Sequence, residues 1–121
     1  MEIKNKVVVI TGGSSGLGLA LAGAFSVAGA KVAITSNNTE ALNNVAEELS
    51  VFAVPADITK ENEVMAVARA VAEKFCQIDI WINNAGIWLP HAPFAEMDLN
   101  MVHQLVEAGL VKDFADIYYL K

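Results

Sequence analysis

Residues 7–18 read Val7-Val8-Val9-Ile10-Thr11-Gly12-Gly13-Ser14-Ser15-Gly16-Leu17-Gly18, and most of the chain's organisation follows from that order. Four β-branched residues in succession suit a strand buried on both faces, the usual state of a central parallel strand. The glycine-rich turn comes next, and then an apolar run with helical spacing. A strand that turns sharply into a helix leaves backbone N–H groups pointing outward at the positive end of the helix dipole. Glycines at the turn permit unusual dihedrals and let an anion approach the backbone closely. The stretch therefore reads as a phosphate cradle for a dinucleotide, set against the plainer alternative of a glycine-rich turn without a ligand.

Composition narrows the function classes. The chain has 121 residues, 55% hydrophobic and 18% charged, enough for one domain with a sizeable core. Its formal net charge is −6 and its eight Lys and Arg residues are scattered, which argues against nucleic acid as a partner. One cysteine, Cys76, excludes an internal disulfide and suits the reducing cytoplasm; at a helix end it is expected to pack in the core. With His91 and His103 it makes no convincing metal site. No charge occurs from Val7 to Ala30, so a signal peptide or a membrane span comes into question. The polar, glycine-rich segment Thr11–Gly16 interrupts that run and would break a helix there, which argues against both.

Outward from the first strand, apolar periodicity alternates between the strand and helix patterns. Strands are expected at Lys6–Thr11, Lys31–Thr35, Val51–Pro55 and Ile78–Ile82. Helices are expected at Leu17–Ala28, Thr39–Leu49 and Lys60–Phe75, the second capped by Asn38 or Thr39. In the first helix Leu17, Leu21, Ala24, Phe25 and Ala28 should face the sheet, and Gly29 should end it. This alternation implies right-handed crossovers and an α/β fold: a Rossmann-like doubly wound parallel sheet of about four strands, in order 3-2-1-4, forming a single domain over residues 1–121.

The detail of the motifs is more specific than the pattern. The common G-x-G-x-x-G fingerprint is absent. Instead Thr11-Gly12-x-x-x-Gly16-x-Gly18 resembles the T-G-x-x-x-G-x-G loop of the short-chain dehydrogenase/reductase family, and Asn83-Asn84-Ala85-Gly86 after the fourth strand resembles that family's N-N-A-G motif. The resemblance runs from the N-terminus to about Leu110 and implies an NAD(P)-dependent oxidoreductase. It implies cofactor contacts at Gly12, Ser14, Ser15, Gly16, Leu17 and Gly18, at Asp57 and Ile58 after the third strand, and at Asn83, Ala85 and Gly86. Asp57 or Thr59 would equally serve to cap the following helix.

After the second strand the chain reads Thr35-Ser36-Asn37-Asn38, with neither the carboxylate that favours NAD nor an arginine that attracts a 2′-phosphate. Ser36 and Asn37 can donate to a phosphate, which tilts the cofactor toward NADP over NAD. A polar turn without a ligand fits the same residues.

The resemblance stops where hydride chemistry would be completed. Family members are about twice this length, and their Ser and Tyr-x-x-x-Lys belong to the half lacking here. The family Asn falls on Gly109 when Val106–Leu110 is aligned. Neither Tyr118 nor Tyr119 has a lysine four residues on, and Lys121 is the last residue, so no catalytic group is assigned. The expected function is an NAD(P)-dependent oxidoreductase by resemblance, transferring a hydride between the nicotinamide and a carbonyl or hydroxyl substrate but not competent as this isolated chain; a dinucleotide-binding or interaction module without turnover and an inactive remnant are the alternatives. With the next strand missing, Ile80–Ile82 would form a bare apolar edge, so self-association is expected through that edge and the Leu99–Leu110 helix.

Overall fold

The computed structural model describes residues 2–14, 16–58, 60–84 and the backbone of 113–115. The elements run β1 (Val7–Thr11), α1 (Gly16–Val27), β2 (Lys31–Ser36), α2 (Thr39–Leu49), β3 (Phe52–Pro55), α3 (Glu61–Phe75), β4 (Ile80–Ile82) and β5 (Asp113–Ala115). All strands pair in parallel, in the order β3-β2-β1-β4-β5. The expected 3-2-1-4 order is therefore present, with a further strand beside it.

That strand corrects one expectation. The outer side of β4 is not bare: Ile80, Trp81 and Ile82 pair with Asp113, Phe114 and Ala115. Backbone groups left open at a sheet edge favour any strand that can satisfy them, and the chain's own 113–115 does so. The self-association argument from a free β4 edge falls with it. The Leu99–Leu110 helix, Glu96, Asp98, Trp88, His91, Phe94 and His103 lie outside the described residues.

β1 is buried along its whole length, as a central strand must be. Alternate residues feed two cores. Val7, Val9, Ala33 and Trp81 pack with Val64, Val67, Ala68 and Val71 of α3. Val8, Ile10, Ile34, Ile80 and Ile82 pack on the opposite face with Ala22 of α1 and Leu42 and Val45 of α2. Buried Asp79 fixes the start of β4 against β1: its Oδ2 accepts from Val7 N at 2.9 Å and its N–H donates to Val7 O at 2.9 Å.

Helix ends follow local chemistry. Gly29, at φ +93°, ends α1, where Ala30 N–H donates to Phe25 O and Gly29 N–H to Ser26 O; this is the paired bonding of a Schellman motif. Asn38 caps α2, its Oδ1 accepting from Ala41 N at 3.1 Å. Cys76 proves exposed rather than packed in the core: it ends α3 at φ +71°, its N–H bonded to Ala72 O. A residue that must turn out of the helix axis points its side chain away from the packed face.

The orientation of α1 is the second correction. Beneath it lie Gly18 and Ala22, with Leu21 and Phe25 only partly buried, while Leu17, Ala24 and Ala28 are exposed. The helix sits so close to the sheet that only the smallest side chains fit under its N-terminal half. Leu21 and Phe25 still pack against that core, as expected, while Leu17 and Leu19 are exposed.

Candidate functional site

Parallel strands place all their C-terminal ends on one side, and the motif residues gather there. The β1–α1 turn is held by the sheet itself. Gly12 N–H and Gly13 N–H both donate to Thr35 O, at 2.8 and 3.3 Å. Gly12 and Gly16 take positive φ values of 69° and 58°, which a side chain would strain. Gly12 thus shapes the turn, its N–H already taken, and the amides of the first turn of α1 are the ones without an intrahelical acceptor. That turn carries no acidic side chain, so nothing opposes an anion at the positive end of the helix.

Gly18 is required for a different reason. A Cβ there would stand 2.0 Å from Gly12 O and 2.5 Å from Asn84 Nδ2, closer than atoms can pack. At Gly13 a Cβ would lie 2.6 Å from the Ile34 side chain. The loop is thus pressed against β2 on one side and the end of β4 on the other. This close-packed cradle, with no room for a side chain on its inner side, fits a pyrophosphate on its outer side.

The end of β4 locks the cradle. Thr11 Oγ1 donates to Asn83 Oδ1 at 3.2 Å and accepts from Asn84 N at 2.9 Å. Asn84 Nδ2 approaches Gly12 O at 3.4 Å, and its buried Oδ1 has no hydrogen-bond partner among the described residues. Asn84 was not among the expected cofactor residues, yet it touches the loop directly. The one available signal was its place in Asn83–Gly86, beside a strand that must run next to β1. Asn83, by contrast, turns its side chain inward to Thr11.

The remaining expected residues divide. Ser36 Oγ accepts from Ser14 Oγ and from Asn38 N, each at 3.1 Å, so the glycine-rich loop and the turn after β2 are joined through one hydroxyl. Asn37 is exposed beside them. Asp57 is half-buried and its N–H donates to Glu63 Oε1 at 2.9 Å, while the capping position of α3 falls on Lys60 without a side-chain bond. Ile58 packs its side chain into the core under α3. Leu17 is exposed at the mouth of the loop, and Ser15, Thr59, Ala85 and Gly86 lie outside the described residues. Among the described residues there is no cluster able to hold a metal ion, and no helix is long and apolar enough to cross a membrane.

Known proteins share this arrangement. The short chain dehydrogenase family model matches residues 6–112. A short chain dehydrogenase/reductase of Macrophomina phaseolina, dpmpG, is 34% identical over 119 residues, which cover 93% of this chain and 68% of that protein. The crystal structure of a short chain dehydrogenase/reductase from Burkholderia phymatum in complex with NAD superposes with a TM-score of 0.82 at 26% identity, over 92% of this chain and 46% of that one. The RhlG/NADP active-site complex of Pseudomonas aeruginosa superposes with a TM-score of 0.70 at 30% identity, over 86% of this chain and 46% of that one. The chain thus spans less than half of each solved chain, and 26% and 42% of two further curated relatives. Glycine loop, strand order and matched length agree: the chain belongs to the short-chain dehydrogenase family.

Proposed function

We propose that this chain is the dinucleotide-binding half of an NAD(P)-dependent oxidoreductase, which binds and orients the cofactor but has no turnover by itself. The observation that carries this is the cradle: Gly18 is packed against Gly12 O and Asn84, and the amides of the first turn of α1 are left without an intrahelical acceptor. When bound, the nicotinamide supplies or accepts a hydride in exchange with a carbonyl or hydroxyl substrate. The chain's part is to seat the pyrophosphate on Ser14–Gly18, with the adenosine beside Ser36, Asn37 and Asp57 and the nicotinamide side beside Asn83–Gly86. Proton transfer has no assigned group, since Gly109 stands at the family's Asn and neither tyrosine is followed four residues on by lysine.

NADP is favoured over NAD. Thr35–Asn38 carries no acid to repel a 2′-phosphate, the Ser36 hydroxyl is bonded to Ser14 of the loop, and Asn37 next to it in sequence is exposed. The lone, exposed Cys76 suits the cytoplasm.

The test is titration of the purified chain with NADPH and with NADH, read by energy transfer from tryptophan to the nicotinamide. Saturable binding, tighter for NADPH and abolished by Gly16→Asp in a chain that keeps its circular dichroism, is expected. A folded chain that binds neither cofactor at millimolar concentration would overturn the reading; tighter binding of NADH would overturn only the preference.

A further inference from the structure

The strands of the sheet have a second end. Lys31 and Phe52 open β2 and β3 on the side away from the cradle, roughly 16 Å along β2 from Ser36. The three helices also stop on this side. α2 ends at Ser50, at φ +55°, and α3 at Cys76, at φ +71°. Because α1 and α2 lie on one face of the sheet and α3 on the other, their ends leave a cleft between the layers. Its volume is about 410 Å³, within the range of roughly 300–1,000 Å³ that small-molecule sites occupy.

The lining of this cleft runs against the charge of the whole. The chain's net charge is −6, yet the cleft is walled by Lys31 and Lys74 and by no carboxylate. Among the described residues neither lysine forms an ion pair. Lys74 Nζ lies instead 5.0 Å from the ring centroid of Phe52 and 5.7 Å from that of Phe75. The two rings meet edge to face, 6.0 Å apart at 87°. Attraction to the rings holds the ammonium at the cleft and leaves it N–H groups to donate. Ser50 adds an exposed hydroxyl. Lys74 sits in the last turn of α3 and so also complements the helix dipole, but Lys31 opens a strand. The three helix ends that meet here carry roughly half a negative charge each, which the two whole positive charges exceed.

Aromatic walls beside two unpaired cations suit a ligand that has both a ring and an anionic group. An inorganic anion would leave Phe52 and Phe75 facing water, and a neutral ring would make no use of the two charges. We infer that this cleft is a second binding site, for a small aromatic carboxylate whose ring packs against Phe52 and Phe75 and whose oxygens accept from Lys31 and Lys74. The site stands apart from cofactor binding, since none of its residues belongs to the glycine loop or to the end of β4.

The experiment titrates the isotope-labelled 121-residue chain with 2-naphthoate and follows its backbone amide resonances. Saturation at about millimolar concentration or below is expected, with the shifts gathered at Lys31–Val32, Ser50–Phe52 and Lys74–Cys76. The uncharged 2-naphthamide and ring-free inorganic phosphate should each bind more weakly by about tenfold or more. Lys31→Gln and Lys74→Gln should each weaken naphthoate binding by about tenfold, whereas Lys60→Gln, at the other end of α3, should not. Both cleft lysines are exposed, so the substituted chains keep their fold, and amide resonances away from the cleft should stay in place. Shifts confined to Gly12–Gly18 would put the ligand in the cofactor cradle and overturn the proposal. So would a lack of saturation at about 10 mM, equal binding of the amide or of phosphate, or undiminished binding by the chain carrying both Lys31→Gln and Lys74→Gln.

Discussion

Helices α1 and α3 pack on opposite faces of the same sheet, and they solve the problem differently. α3 is amphipathic: Val64, Val67, Ala68 and Val71 are buried, and Glu61, Arg69, Glu73 and Lys74 face solvent. α1 buries only Gly18 and Ala22 and leaves Leu17, Leu19 and Val27 exposed. A helix whose sole task is to cover a sheet separates its apolar and polar faces. One that must also bring its N-terminus down onto a glycine turn is constrained by closeness, so the residues fully buried beneath it are small.

Substitutions at matched positions should expose this difference. Val71→Asp in α3 puts an unpaired carboxylate into a fully buried site, and the expected outcome is loss of the cooperative thermal transition. The same change in α1, Val27→Asp, should shift stability by no more than about 0.5 kcal/mol, since its site is 91% exposed. If both variants melted alike, the contrast between the helices would fail.

Gly18→Ala should fall between these. Its Cβ has no space between Gly12 O and Asn84, and overpacking of this kind costs about 1–3 kcal/mol. Chemical denaturation should register that loss, and cofactor titration should show weakened binding because the loop must shift. Thr11→Val is smaller in volume change but removes the hydroxyl between Asn83 and Asn84. Leaving buried Asn83 Oδ1 without this donor should cost about 1–3 kcal/mol, while Asn84 N–H keeps Ile82 O as a partner, without the steric displacement of the loop. Asn38→Ala, which removes the α2 cap, should cost about 1 kcal/mol and leave cofactor affinity unchanged. Together these order the molecule from core to cradle to surface.

Much of this could be read from the chain as a string. β-branched runs bounded by glycine, proline and asparagine gave strands in the right places, because strand and helix periods are local properties. Gly29 and Asn38 acted where their local chemistry implied. Cys76 went astray because a helix end reads the same whether its last residue turns inward or outward, and only the backbone turn at φ +71° separates the two.

What the sequence alone determined is the run of elements from β1 to β4 and the glycine turn at the end of β1, since each depends on residues close together in the chain. The tertiary structure decided the rest. The rotation of α1 depends on how near the sheet lies, the role of Asn84 on a contact with Gly12 across the crevice, and the covering of β4 on pairing with residues 113–115. Each of these is a distance between segments remote in sequence, and no local pattern encodes such a distance.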